Sequence, residues 1–247
     1  MKRRNAAVAL GAMFATACAT ANVKNASSFD EPRQSVKVLQ MPVDAEVYFV
    51  KLGASDLRAD WTEQVTENFT QSLREHLEAT GETVIEFEPY AGQIEDIDQL
   101  LLLQQQVTNT MGRHVVPLLP GTLLTPLPHA EGQLMTYSLG EDAKSLYDAT
   151  GADYAAFLTN RTSIESGGSV MTKLLIGGVT GYTPGLSSFR GTYVSLVDLQ
   201  TGDVVWIRAQ SGTAFSGSDA RDPEGADRVV KAIMDQGPFT DGEVDES

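Results

Sequence analysis

The residues from which this 247-residue chain could assemble chemistry are few: three histidines, one cysteine and some closely spaced carboxylates. His76 falls between Leu73 and Leu77 of a four-residue apolar repeat, a position that predicts a solvated surface histidine. His114 lies where a helix gives way to a proline-rich stretch. His129 and Glu131, inside that stretch, amount to half a metal site that no other His or carboxylate cluster completes. Together with Asp153 they are the best set for a hydrolase of scattered residues, which needs all three within about 10 Å. Glu86 and Glu88, two apart in a strand-like run, share one face and leave Ile85 and Phe87 on the other, as in a half-solvated strand. Asp198 and Asp203 bracket Gln200-Thr201-Gly202, where Asp bonds nearby backbone N–H groups. There is no G-x-S-x-G elbow. Gly177-Gly178-Val179-Thr180-Gly181 lacks the G-x-G-x-x-G spacing and is not followed by a phosphate loop. The expectation is a protein with no catalytic residues, no cofactor and no metal, hence not an enzyme.

The cysteine points elsewhere. Met1 to Ala21 reads MKRRNAAVALGAMFATACATA: a basic start, an uncharged run from Ala6 to Ala17 and small residues after it, the anatomy of a secretory signal peptide. About twelve uncharged residues are too few for the roughly twenty of a membrane-spanning helix. Cys18 follows at once, in Ala15-Thr16-Ala17-Cys18, which resembles the lipobox of bacterial lipoproteins, with Ala15 where a bulky aliphatic residue is usual. That resemblance implies a Cys18 carrying acyl chains such as palmitate and anchoring the protein to a membrane. An ordinary Ala-x-Ala cleavage site beside an incidental cysteine is the alternative. Cleavage before Cys18 removes Lys2, Arg3 and Arg4 and takes the formal charge from −15 to −18, which argues against nucleic acid as a partner. Ala19 in place of the Asp associated with inner-membrane retention favours the outer membrane, facing the periplasm.

The elements that would position a site follow from periodicity. Residues 1–17 are the leader, and 18–34 the lipid-anchored cysteine with a flexible tether, whose sixteen residues after Cys18 span roughly 22 Å as a coil. Residues 35–238 form a single α/β domain, and 239–247 an acidic disordered tail. Within the domain, Val36–Leu39 and Glu46–Leu52 read as strands. Trp61, Val65, Phe69, Leu73 and Leu77 mark a helix from Asp60 to Thr80, with an Asp60/Glu63 capping box and Gly81 beyond its end. Thr83–Glu88 is a strand, and one helix between it and Glu46–Leu52 predicts two parallel neighbours. A helix from Ile94 to Met111, stopped by Gly112, carries polar Gln104 in its apolar series. Val115–Leu134, with four prolines, reads as a loop. A short helix before Gly151, a strand over Asp153–Arg161, a hairpin of 191–199 with 203–209, and a helix opening at Asp222-Pro223 complete the chain. The fold class is an α/β (α+β) sandwich: a mixed sheet of about five or six strands with three or four helices.

Between strand and hairpin, Ser166 to Gly191 holds seven glycines around the apolar run Val170-Met171-Thr172-Lys173-Leu174-Leu175-Ile176. Val170, Met171, Leu174, Leu175 and Ile176 are the candidate partner contact if this excursion is exposed. A loop packed back on the sheet is the competing expectation.

Gly151-Ala152-Asp153-Tyr154-Ala155-Ala156-Phe157, the glycine-rich excursion and Tyr193-Val194-Ser195-Leu196-Val197-Asp198-Leu199-Gln200-Thr201-Gly202-Asp203-Val204-Val205-Trp206 together resemble proteobacterial lipoproteins. More distantly they resemble the group holding the curli-secretion lipoproteins and LpoB-like α/β domains. The likeness covers about residues 139–236 and carries over no catalytic residue. It implies an envelope lipoprotein with a binding or assembly role and another envelope protein as partner. A component of an oligomeric secretion or pore assembly is the alternative, although the excursion here lacks the apolar/polar alternation over roughly 9–11 residues that a barrel strand needs.

Overall fold

The computed structural model describes residues 19–22, 36–51, 54–88, 94–115, 137–172, 189–212, 219–235 and 239. The chain is an α/β protein built on one mixed sheet. Its strands are β1 (Ala19–Asn22), β2 (Lys37–Gln40), β3 (Asp44–Lys51), β4 (Ala54–Leu57), β5 (Thr83–Glu86), β6 (Tyr154–Glu165), β7 (Phe189–Asp198) and β8 (Val204–Gly212). The helices are α1 (Ala59–Ala79), α2 (Ile94–Val115), α3 (Asp142–Thr150), α4, described over 167–172, and α5 (Pro223–Met234).

β6 is the spine. Tyr154, Ala156 and Leu158 enter the core beneath α1 and α5, and Ala155 and Phe157 enter the core beneath α2 and α3. A strand buried on both faces needs no polar alternation, which is why its sequence reads as a nearly continuous apolar run. On one side β6 pairs antiparallel with β7, which pairs with β8 and, through it, β1. On its other side it takes two parallel partners in line, β2 beside its first residues and β3 beside the rest. β5 extends β2 in parallel, and β4 folds back on β3.

This arrangement corrects the expected pairing of Glu46–Leu52 with Thr83–Glu88. The second of these runs lies beside β2, because Val36–Leu39 is a full member of the sheet and shares a single β6 edge with β3. β1 and β4 raise the strand number to eight among the described residues, above the five or six expected. The cause of the shared β6 edge is local. From Gln40 to Asp44 the chain advances four residues while its partners on β6, Ala156 and Thr159, are three apart, a one-residue bulge. Met41 still donates its N–H to the Ala156 carbonyl at 3.0 Å, but Pro42 has no N–H to continue the ladder.

The helices follow their apolar stripes. Val65, Phe69, Leu73 and Leu77 of α1 are buried, as are Ala226, Val229, Val230 and Ile233 of α5, and together they cover one face of the sheet. The predicted capping box does not form: Arg58 is the N-cap residue, and Asp60 instead binds its guanidinium at 2.7 Å. Arg58 and, from the loop before α5, Arg221 stack on the Trp61 indole at 4.3 and 4.5 Å, tying the two helices together at this end. α2 runs on through Gly112 to Val115, beyond its expected stop, since glycine within a helix costs only about 1 kcal/mol. Gly151 ends α3 in the left-handed conformation at φ 65°, as its position foretells. At the hairpin, Asp198 accepts the N–H groups of Gln200 and Thr201 at 2.8 and 3.2 Å, and Gly202 takes φ 77°.

Two segments placed outside the domain by sequence contribute to it. Ala19–Asn22, expected in the tether, forms β1 at the sheet edge by satisfying the free ladder groups of β8. Phe239, expected in the acidic tail, packs its ring edge-on against Tyr154 at 6.4 Å, where an aromatic side chain gains more than it does in water. No helix among the described residues is long and apolar enough to cross a membrane.

Candidate functional site

The bulge between β2 and β3 sets the floor of a cavity of about 430 Å³, roofed by α2. Pro42, Val43 and Asp44 come from the bulge, Phe157, Leu158 and Thr159 from β6, and Asp98, Leu101, Leu102, Gln104 and Gln105 from α2. A bulge bends its strand and re-aims side chains, so the helix cannot close on the sheet here as it does at Leu100. The volume lies within the range of pockets that hold small organic molecules.

The walls are largely apolar, and the polar groups among them are unequal in their commitments. Arg161 donates from Nη2 to Asp44 Oδ2 at 2.7 Å and from Nη1 to the carbonyls of Asp44 and Asn160, and its Nε lies 3.3 Å from Glu46 Oε2. Gln105 donates to the same Asp44 carboxylate at 3.3 Å. Asp44 is therefore neutralised and oriented. Asp98, at the exposed end of the cavity wall, has no hydrogen-bond or ion-pair partner among the described residues.

Gln104 is 3% exposed. Its Nε2 donates to Thr108 Oγ1 at 3.0 Å, one helical turn on, and to the buried Ser195 Oγ of β7 at 2.7 Å. Its Oε1 accepts no hydrogen bond from the described residues. A buried acceptor left so costs about 1–3 kcal/mol, an expense that an apolar residue at 104 would avoid. The one polar residue in the α2 apolar series is the sequence signal for this site, and it was legible as an anomaly. The cavity was not, because it depends on which strands β6 gathers.

The positions singled out by sequence fall elsewhere. Cys18, His129 and Glu131 lie outside the described residues, as do Leu174, Leu175 and Ile176 and most of the glycine-rich segment. Val170 is half-buried on α4, and Met171 beside it is 60% exposed, a large apolar side chain in solvent. α4 is fastened to β6 by Ser169, whose hydroxyl donates to buried Glu165 at 2.6 Å. Asp153, the third member of the scattered hydrolase set, accepts the Lys37 N–H at 3.0 Å and so holds β2 to the start of β6. His76 is less solvated than its spacing predicts: with α5 packed against α1, its Nε2 reaches Asp227 Oδ1 at 3.0 Å. Glu86 and Glu88 are exposed, as expected, and Glu86 pairs with Arg74 at 3.0 Å. Among the described residues no group of three or more His, Cys, Asp or Glu could hold a metal ion.

No family model and no curated protein matches this chain. Among solved structures, the PelC dodecamer from Paraburkholderia phytofirmans is similar at a TM-score of 0.39 and 11% identity, over 90% of this chain and 97% of that one. Lipoprotein GNA1162 from Neisseria meningitidis is similar at a TM-score of 0.31 and 14% identity, over 74% and 83% of the two chains. The C-terminal domain of LpoB from Salmonella enterica is similar at 0.30 and 16%, over 74% and 87%.

Proposed function

We propose that the protein is a non-enzymatic lipoprotein of the bacterial cell envelope, anchored by acylated Cys18 in the outer membrane facing the periplasm, whose α/β domain binds another envelope protein. The observation that carries this reading is the place of the sole cysteine, directly after a basic, then apolar, then small-residue leader. β1 adds to it. The strand begins at the residue after Cys18 and pairs with β8, so the anchor would leave from the sheet edge with the domain close to the lipid. Several acyl chains at about 0.8 kcal/mol per buried CH₂ suffice for stable anchoring. Our reading assigns the partner surface to the excursion that begins with α4, and exposed Met171 supports it.

The test is crosslinking in intact cells from a photoreactive residue at Met171, in the wild-type and Cys18→Ala backgrounds. One specific envelope protein, captured from the wild type and lost when Cys18→Ala releases the chain from membranes, supports the proposal. Capture of a second copy of this chain alone would favour an oligomeric assembly. Retention of Cys18→Ala in the membrane fraction would overturn the anchor.

A further inference from the structure

The strand register fixes the end of the sheet at which the chain reaches Cys18. β1 runs antiparallel to β8, so its first residue, Ala19, lies opposite Ser211, next to the last residue of β8. The same end holds the start of β7, the end of β6 at Glu165 and the end of β3 at Lys51, where the chain turns back into β4. Cys18 stands one residue beyond Ala19, about 3.3 Å along the strand, so a lipid carried there has no spacer between it and the strand ends. Twist turns neighbouring strands by roughly 20–25°. With β7 upright, β1 and β3, two places to either side of it, each lean about 40–50° and still point their ends the same way.

Charge is distributed along the same axis. At the β3–β4 tip the outermost charge among the described residues is exposed Lys51, which has no carboxylate partner among them. Asp56, the exposed carboxylate of β4, lies opposite Phe49, two residues or about 7 Å farther back. The Lys51 ammonium lies 5.2 Å over the Phe49 ring, which meets Trp61 edge-on at 5.5 Å. Arg58 and Arg221, stacked on that indole, are neutralised by Asp60 and Asp219. At the opposite end of the sheet Glu82, Glu141, Asp142, Asp153 and Asp203 gather around Lys37 and Lys144. The anchored end therefore leads with a lysine backed by aromatic rings, the side chains that favour a headgroup layer, and the far end is acidic. Resting on the Cys18 anchor proposed above, we propose that the β3–β4 tip lies against the phospholipid headgroups, with Lys51 pairing with their phosphates, Phe49 and Trp61 at the interface behind it, and the acidic end held away from the bilayer. α4 leaves β6 at this end too, so an envelope protein docking at exposed Met171 would be met at the membrane surface.

The test supplies the lipid chemically. The mature chain from Cys18 is purified, a dipalmitoylglyceryl group is attached to its one sulfhydryl, and the product is placed on vesicles of phosphatidylcholine alone or with about a quarter phosphatidylglycerol. The outcome then does not depend on whether cells acylate Cys18, which intact mass decides separately. An azidophenylalanine at Ala54 or at Asp203, both exposed, carries a dye whose energy transfer to acceptor-labelled headgroups is measured. The two sites stand at opposite ends of the twelve-residue β6, about 36 Å apart along the strands, against a headgroup layer of roughly 5–8 Å. Transfer should be at least about threefold greater from 54 than from 203. Phosphatidylglycerol should raise it further at 54, and Lys51→Gln, at an exposed position, should cut that gain about fivefold, as should salt at about 0.5 M. Equal transfer from the two sites, greater transfer from 203, or a signal at 54 indifferent to phosphatidylglycerol and to Lys51→Gln would each overturn the proposal. So would transfer at 54 that falls as protein density on the vesicle rises, which would make a second copy of the chain the occupant of the tip.

Discussion

With β1 in the sheet, the proposed lipid anchor and the domain are joined with almost no slack, and a register-specific crosslink tests this. Thr20 lies opposite Gln210 in the antiparallel β1–β8 pair. Directly opposed antiparallel residues have Cα atoms about 4.5–5.5 Å apart, inside the 4.4–6.8 Å that a disulfide spans. Thr20→Cys with Gln210→Cys should therefore oxidise readily, whereas Ala21→Cys with Gln210→Cys, one residue out of register and facing opposite sides, should oxidise at least tenfold more slowly. A coil ranging over roughly 22 Å would bring the two thiols of either pair together at similar local concentration. The stability readout is independent. Closing a loop of about 190 residues removes chain entropy worth roughly 5 kcal/mol from the unfolded state, and engineered bonds usually realise about 2–4 kcal/mol of such a figure. Urea unfolding with and without reductant should show that difference for the in-register pair. Equal oxidation of the two pairs, or a disulfide that leaves the urea midpoint unchanged, would refute the docking of β1.

Three further outcomes follow from the packing. Phe69 is fully buried between α1 and the sheet, so Phe69→Ala should cost about 3–5 kcal/mol in urea unfolding, a large part of the roughly 5–15 kcal/mol of an ordinary domain. Gly202 combines φ 77° with a position where a Cβ would collide with the Gly140 carbonyl, whereas Gly81 has φ 88° and open space. Gly202→Ala should consequently destabilise more than Gly81→Ala, whose cost is the left-handed strain alone, about 1–2 kcal/mol, and equal costs would contradict the close approach. Burial holds the Glu82 carboxyl above its ordinary 4.5, against the downward pull of the Val36 N–H that it accepts at 2.9 Å. The folded state therefore binds more protons than the unfolded one between 4.5 and the raised value, and Glu82 makes the fold less stable as pH rises through that window. Glu82→Gln keeps an acceptor for Val36 and should gain stability over wild type across the same window, then hold a constant difference above it. A difference independent of pH would count against this assignment.

The α1 and α5 stripes, the Gly151 stop and the Asp198 turn were legible in the sequence because each is decided within one or two turns of chain. The sharing of the β6 edge by β2 and β3 was not, since a proline and a single extra residue act only when a partner strand supplies the register. The same limit hid the site. Gln104 stood out as polar in an apolar series, but Ser195, which fixes its amide, is 91 residues away. Phe239 and Ala19–Asn22 were misplaced for a related reason: polar or small-residue neighbours predict coil, and only the finished sheet offers an aromatic slot and a free edge. Cys18 is the reverse case: the role proposed for it rests on local chemistry alone, because signal processing acts on the extended chain.

In the proposed function Cys18 carries the acyl chains that hold this domain to the envelope. This is tested by the intact mass of the protein extracted from cells that export it, with its N-terminal peptide sequenced by fragmentation. The expected result is a mature chain that begins at Cys18 and carries the added mass of fatty acyl groups on that residue. A chain that begins elsewhere, or a Cys18 with an unmodified thiol, would contradict it.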